Sequence, residues 1–388
     1  MRICYVVHSA SHFAAPYVDH FARAGHEVHV ISFSHEPLAN AVTHYPVARE
    51  YDPLGNKLDY VRAIPTVRRL LRRIAPDLLH AHFLTSNGLV AAATGFHPLV
   101  VSARGSDVHE SMGRPLRRAL IRFVMRRADL VNPVSREIAA KVASLGIPAA
   151  KMLCLTQGIE VSRFDLPRGR RGDGPVTMIC TRKLHRPYQP VTIVEALARA
   201  AVHGCDFRFT FAASGRDEAA VRRLVAERGL ADRVEFLGGY RPEQLPRLLA
   251  ERDVYVSASL WDGTSPALLE AMAAGAYPVV TDCAATREWL DGDGDGLLFA
   301  PDDVEHLAAC LIAAATRRDQ WASAALRNRR LVMERADRET NMAIMASHYA
   351  RLVEGLGCDA RSCTGARAGA EPVAAPASSI APRERAAG

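Results

Sequence analysis

The stretch Ser259-Leu-Trp-Asp262-Gly263-Thr264-Ser265-Pro266-Ala-Leu-Leu-Glu270-Ala-Met-Ala-Ala-Gly275 gathers more groups able to do chemistry than any other segment of this sequence. Ser265 suits the N-cap of a helix and Pro266 its first position, because the hydroxyl accepts an orphan amide and proline has none to lose. Leu268, Leu269 and Met272 then fall on the buried side. The Gly263-Thr264-Ser265 backbone is left to point free N–H groups, together with the positive end of the helix, into any cleft above it. That arrangement suits a phosphate. Asp262 and Glu270 stand with seven residues between them, one before the helix and one a turn inside it. Both carboxylates can accept from sugar hydroxyls. The plain alternative is a capped surface helix with a solvated Glu.

Other loops carry candidate groups. Thr181-Arg182-Lys183-Leu184 and His185-Arg186-Pro187-Tyr188 follow the apolar run Val176–Cys180, Val101-Ser-Ala-Arg104-Gly105-Ser106-Asp107 ends another such run, and Ser9-Ala10-Ser11-His12 follows the first. Asp291-Gly-Asp293-Gly-Asp295-Gly296, with Asp302 at the twelfth position, has the spacing of a calcium loop, but an EF-hand also needs flanking helices. The eight cysteines are scattered, without a CxxC pair or a His/Cys spacing for tetrahedral zinc. No metal is expected, and a reducing compartment is.

The elements that must position these groups alternate short apolar runs with longer helical periods, the signature of parallel βαβ units. Strands are predicted at Arg2–Val7, Val28–Phe33, Asp77–Ala81, Leu99–Ala103 and Leu130–Pro133, then at Val176–Cys180, Phe207–Ala212, Val234–Phe236, Val254–Ser257 and Tyr277–Thr281. Residues 1–165 form one α/β half and 176–336 a second, joined by a Gly-, Pro- and charge-rich linker at 166–175. A helix over 337–356 is expected to cross back to the first half, and the Ala-, Pro- and Gly-rich tail 357–388 to stay disordered. Two doubly wound halves leave one cleft between the carboxyl ends of their strands, where ligands bind.

In this order the segments resemble the retaining nucleotide-sugar glycosyltransferases of the GT-B fold, the large family four, over about residues 1 to 356. That family carries an acid, seven residues, Glu, then Ala-Met-Ala and Gly, with Glu commoner than Asp in the first place. Asp77-Leu-Leu-His80-Ala-His82, Arg127-Ala-Asp-Leu-Val-Asn-Pro-Val-Ser135 and Thr156-Gln-Gly158-Ile-Glu160 are similar to three further family segments, and Glu235-Phe-Leu-Gly238 to the loop that flanks the base. The resemblance implies that Glu270 accepts from the ribose hydroxyls, and that Asp262 with the amides of Gly263, Thr264 and Ser265 holds the transferred sugar and the diphosphate. It implies that Arg182 contacts the diphosphate and neutralises charge building on the leaving group. The family's lysine about five residues later has no counterpart, and Arg186 is its best substitute. Arg104 replaces the family's sugar-contacting His on the acceptor or sugar side, where Asp107 matches and Ser9 lies in the loop that faces donor phosphate. Pro301, after Leu-Phe-Ala, fits the family's Gly-x-Gly-Leu-Leu loop and displaces the calcium reading.

Charge points to partners. The net charge is +7, but residues 1–170 hold 22 Lys and Arg against 13 Asp and Glu, while the remainder holds 27 against 29. The surplus belongs to the acceptor half. Arg68, Arg69, Arg72 and Arg73 form one cluster, and Arg114, Arg118, Arg122 and Arg126 recur along a helix whose Leu116, Leu120, Phe123 and Val124 are expected on its other, buried side. An anionic lipid-linked substrate or membrane surface fits this stripe better than nucleic acid, for which no module is present. The N-terminus lacks a signal-peptide core and no run reaches the length of a membrane span, so a cytoplasmic protein, soluble or peripheral at the inner membrane face, is expected.

The resemblance thus implies a retaining transferase moving a hexose-type sugar from a UDP- or GDP-sugar donor to a hydroxyl acceptor, without metal or other cofactor. The alternatives are a sugar-nucleotide epimerase of the same fold, whose own acid/base set is not found, and a sugar-nucleotide-binding protein that has lost catalysis.

Overall fold

A computed structural model describes residues 1–11, 13–47, 58–167, 174–290 and 294–359, with side chains described through 355. His12, most of the expected linker, Asp291–Asp293 and the tail beyond 359 lie outside the described residues. Among the described residues the chain forms two parallel six-stranded sheets, the α/β pair of doubly wound halves that the alternating pattern predicts.

The first sheet contains β1 (Arg2–Val6), β2 (Glu27–Ile31), β3 (Val42–His44), β4 (Leu78–His82), β5 (Leu99–Ala103) and β6 (Leu130–Pro133), in the order β3-β2-β1-β4-β5-β6. The second contains β7 (Val176–Cys180), β8 (Phe207–Phe211), β9 (Val234–Phe236), β10 (Val254–Ser257), β11 (Tyr277–Thr281) and β12 (Leu297–Phe299), in the order β12-β11-β10-β7-β8-β9. Central strands are largely buried along their length because helices cover both faces. In β1, Ile3, Cys4, Tyr5 and Val6 are fully buried between β2 and β4. The strand order reverses between β1 and β4, and again between β7 and β10, which places the loops after these strands at the switch points where ligands bind.

The connection between the halves is made twice, side by side. Ile159 donates to Ala336 O at 2.9 Å and accepts from Arg338 N at 2.9 Å, zipping the outgoing and returning chain together. Gly158 holds φ +67° there, and a Cβ on it would stand 2.5 Å from Ala336 O, so only glycine fits. The helix Arg338–Asp359 then packs on the first half. Met342, Met345 and Tyr349 join the core around Tyr5, Tyr17 and Phe21, and the Tyr349 hydroxyl meets His80 Nδ1 at 2.5 Å. Burial keeps His80 neutral, with Arg104 adding to the effect.

One reading of the arginine helix needs correction. Pro115–Arg127 buries Ile121, Val124 and Met125, while Leu116 is 88% exposed and Phe123 45% exposed. The two apolar residues lie on the solvent side among the arginines, because the helix turns its following apolar row, one position round, onto the core.

Candidate active site

Arg182 emerges at the end of β7 and is held by two loops at once. Its Nη2 donates to Asp262 Oδ1 at 2.8 Å and its Nη1 to Ser265 Oγ at 2.8 Å, while the guanidinium lies over the Tyr188 ring, 4.2 Å from its centroid. Burial opposes the charge, but the carboxylate of Asp262 more than offsets it and holds the Arg182 pKa above its ordinary value. Arg182 therefore stays cationic. Its Nε is buried and has no acceptor among the described residues.

Ser265 caps the helix Pro266–Ala273 with its hydroxyl toward Leu268 N, as the residue types require. Leu268, Leu269 and Met272 are buried and anchor the helix, which turns Glu270 toward the cleft. Burial pushes the Glu270 carboxyl up to about 7, against the opposing charges of Arg338, Arg163 and Arg182. No described residue hydrogen-bonds to it, so its acceptor capacity faces the cavity.

That cavity measures about 640 Å³ and lies between the halves. Its lining includes Arg23, Arg163, Arg182, Lys183 and Arg338 against Asp19, Glu160 and Glu270, a cationic surplus. Tyr188, Tyr240, Phe164 and Leu245 supply apolar walls. Such a volume with convergent charge suits a sugar nucleotide far better than a purely apolar ligand.

The remaining candidates fall in three places. Asp262 and Ser265 lie behind Arg182 and orient it. Gly263 and Thr264 sit at the seam with the first half: Thr264 Oγ1 donates to Val134 O at 2.6 Å, and a Cβ on Gly263 would stand 2.6 Å from Arg104 O. Gly238, at φ +75°, turns the chain two residues before the cavity residue Tyr240. Arg186 is exposed and does not line the cavity, where Lys183 is the cation beside Arg182.

The residues expected on the acceptor or sugar side, Ser9, Arg104 and Asp107, are buried in the first half. Ser9 gives its hydroxyl to a cluster with Ser32 and Ser34. Asp107 accepts the amides of Leu84, Arg104, Gly105 and Val108 at 2.8 to 3.1 Å, fixing the loop after β5. Burial raises its pKa and these amides oppose the shift. Arg104 lies over Phe13, with Nη2 3.1 Å from His82 Nδ1 and Nη1 donating to Gln157 at 3.5 Å.

Sequence reasoning did not select Arg163, Arg338 or Glu160. Glu160 accepts from Arg338 Nη1 at 3.0 Å and stands 3.7 Å from Arg163 Nε, where the two chain crossings meet the cavity. Glu160 does belong to the Thr156–Glu160 segment, but nothing local marks Arg338 as its partner.

Comparison with known proteins bears on the family and the fold. The family model for glycosyl transferase 4-like proteins matches residues 2–135, and that for glycosyl transferases group 1 matches residues 176–317. The chain is 28% identical over 225 residues to a putative colanic acid biosynthesis glycosyltransferase, WcaL, of Salmonella typhimurium, covering 56% of this chain and 54% of that protein. It is 28% identical over 248 residues to a GDP-mannose-dependent alpha-(1-6)-phosphatidylinositol monomannoside mannosyltransferase of Mycobacterium tuberculosis, covering 59% and 63%. The matches thus span from about half to under two thirds of these relatives' length. The crystal structure of Anabaena Alr3699/HepE in complex with UDP superposes with a TM-score of 0.73 at 17% identity, covering 91% of this chain and all of that one. With both halves matched by glycosyl transferase models and the fold shared across their whole span, the chain belongs to the group 1, family 4 glycosyltransferases of the GT-B fold.

Proposed function

We propose that the protein is a retaining glycosyltransferase that moves a hexose-type sugar from a UDP- or GDP-sugar to a hydroxyl acceptor in polysaccharide or glycolipid biosynthesis. The observation that carries this reading is the cation-rich cavity that Arg182, Lys183, Arg163 and Arg338 line beside Glu270. Arg182, held cationic by Asp262, and Lys183 bring positive charge to the wall where a diphosphate would lie. The glycosidic bond to the diphosphate breaks, the acceptor oxygen bonds to the sugar on the face the diphosphate vacates, and the acceptor's proton leaves with the phosphate oxygen. Side chains meet the developing charge in this reading, and no metal or other cofactor is required. Purified protein with a panel of nucleotide sugars should raise its melting temperature with one donor class and release the matching nucleoside diphosphate, with EDTA changing neither. Binding without turnover on any acceptor would favour the catalytically impaired sugar-nucleotide-binding reading.

We further propose that the acceptor half works at an anionic membrane surface, peripherally and from the cytoplasm. Among the described residues no helix is long and apolar enough to cross a membrane. Support comes from the helix Pro115–Arg127, where exposed Leu116 and Phe123 stand among exposed Arg118, Arg122 and Arg126. Apolar side chains enter the acyl boundary while arginines meet acidic headgroups. The mycobacterial relative, whose name specifies a phosphatidylinositol monomannoside acceptor, gives the same direction. Substituting glutamine at Arg118 and Arg122 should weaken sedimentation with acidic phospholipid vesicles roughly 10- to 30-fold, at about 1 kcal/mol per arginine. Serine at Leu116 and Phe123 should weaken binding to acidic vesicles at high salt. Unchanged binding in both variants removes this surface.

A further inference from the structure

Glu288 follows the short helix Ala284–Arg287 of the second half, and its carboxylate reaches across the seam to the first half. Oε2 accepts from Arg136 N at 3.0 Å and Oε1 from Glu137 N at 2.9 Å. These are the first two amides of the helix Arg136–Ser144, and Ser135 Oγ takes the amide of Ile138. A helix leaves its first amides unsatisfied and carries partial positive charge there, so a carboxylate from outside is a favourable cap. Here the cap belongs to the other half of the protein.

The main chain that carries this carboxylate is itself held in place. Arg335 Nη1 donates to the Glu288 backbone carbonyl at 2.7 Å, and its guanidinium lies 4.7 Å from the Trp289 ring centroid. Val134, just before the capped helix, accepts from Thr264 at 2.6 Å. A segment of four residues, 134–137, is therefore gripped by the second half at both ends. Thr264 sits between Asp262 and Ser265, the two groups that orient Arg182.

From this geometry we infer that Glu288 is a closure latch: a positioning residue that caps the helix Arg136–Ser144 only while the halves are together, and so registers the Asp262–Ser265 loop and Arg182 against the acceptor half. The inference about closure stands on the contacts alone, and its consequence for turnover rests on the transferase reading. When the halves separate, Glu288 loses two charge-assisted hydrogen bonds and the helix loses its cap. Both losses oppose opening.

Glu288→Ala and Glu288→Gln should be compared with the parent and with Ser135→Ala, which removes the helix's own side-chain cap and leaves the Glu288 carboxylate in place. Small-angle scattering of the full chain without ligand should show a larger radius of gyration for Glu288→Ala, a smaller increase for Glu288→Gln, and none for Ser135→Ala. Turnover should fall roughly 10- to 100-fold in Glu288→Ala as the loop loses register, while nucleoside diphosphate affinity stays within a few-fold of the parent. A merely structural cap would instead lower the melting temperature of the Glu288 and Ser135 variants alike, with unchanged dimensions and kcat, and would overturn the proposal. Unchanged scattering rejects the latch whatever the turnover. Were the parent to show no transfer, the scattering would still decide whether Glu288 holds the halves together.

Discussion

Arg182→Ala is expected to lower kcat/KM for sugar transfer roughly 10³-fold, the scale on which removing a preorganised donor to a developing oxyanion acts. The loss should fall mainly on kcat, because negative charge on the leaving diphosphate grows toward the transition state. Arg182 is pre-aimed by Asp262 and Ser265, both at 2.8 Å, and braced by Tyr188, so it pays no reorganisation when the bond breaks. Arg182→Lys keeps the charge but not the fork that engages Asp262, Ser265 and a phosphate oxygen together, and should recover only part of the rate. Asp262→Asn tests the bracing separately: Arg182 remains, less well held, and the loss should be smaller than in Arg182→Ala. Steady-state kinetics with thermal unfolding on each variant check this series. Full activity in Arg182→Ala would remove the residue from the mechanism.

The second large effect concerns Glu270, whose carboxyl burial pushes up to about 7 from an ordinary 4.5. Between those values the folded protein holds a proton that the unfolded chain releases, so Glu270 makes stability fall as pH rises through the window. Glu270→Gln should therefore be the more stable protein at pH 8, by roughly 2 kcal/mol once partial solvent contact is allowed for, and equal to the parent below pH 4.5. Binding should move the other way. If the ionised carboxylate accepts from the ribose hydroxyls, Glu270→Gln should bind donor roughly 10- to 100-fold more weakly at pH 8, the worth of hydrogen bonds to a charged acceptor. Parent affinity should decline as pH drops below about 7, and the variant's should not. Calorimetric titrations at several pH values check both signs. A variant that is more stable at high pH yet binds as well as the parent would leave Glu270 a buried acid without a donor role.

Much of this site was legible because its strongest parts are local. Ser265 and Pro266 mark a helix start, Leu268, Leu269 and Met272 mark its buried face, and together they fix where Glu270 points. The apolar runs of the central strands likewise announce a parallel sheet. What stayed hidden depends on residues brought from far away. Asp262 reads as a sugar-facing acid, yet its partner is Arg182, 80 residues distant, and only the fold joins them. Arg338 meets Glu160 across 178 residues for the same reason.

Other elements were too short or too polar to announce themselves. The edge strands Val42–His44 and Leu297–Phe299 hold three residues each, as does Val234–Phe236, the one such edge strand that its surroundings did announce. The helix Leu58–Ile74 is dense in arginine and contains Pro65, which masks its period, although Tyr60, Ala63, Val67, Leu71 and Ile74 make a regular buried row. In Pro115–Arg127 two apolar rows compete for the core, and the row with Ile121, Val124 and Met125 wins. Periodicity identifies that a helix has an apolar side; it does not say which of two adjacent rows meets the sheet.

The central claim is that the cavity around Arg182 and Glu270 binds a nucleotide-diphosphate sugar and transfers its sugar. Its most direct test is nuclear magnetic resonance of the full chain turning over the donor identified by thermal shift, following the anomeric proton of the sugar and the phosphorus signals together. Nucleoside diphosphate should appear in step with a product of unchanged anomeric configuration, and both signals should grow roughly 10³-fold more slowly with Arg182→Ala. Release with inverted configuration, or equal release by parent and Arg182→Ala, would contradict it.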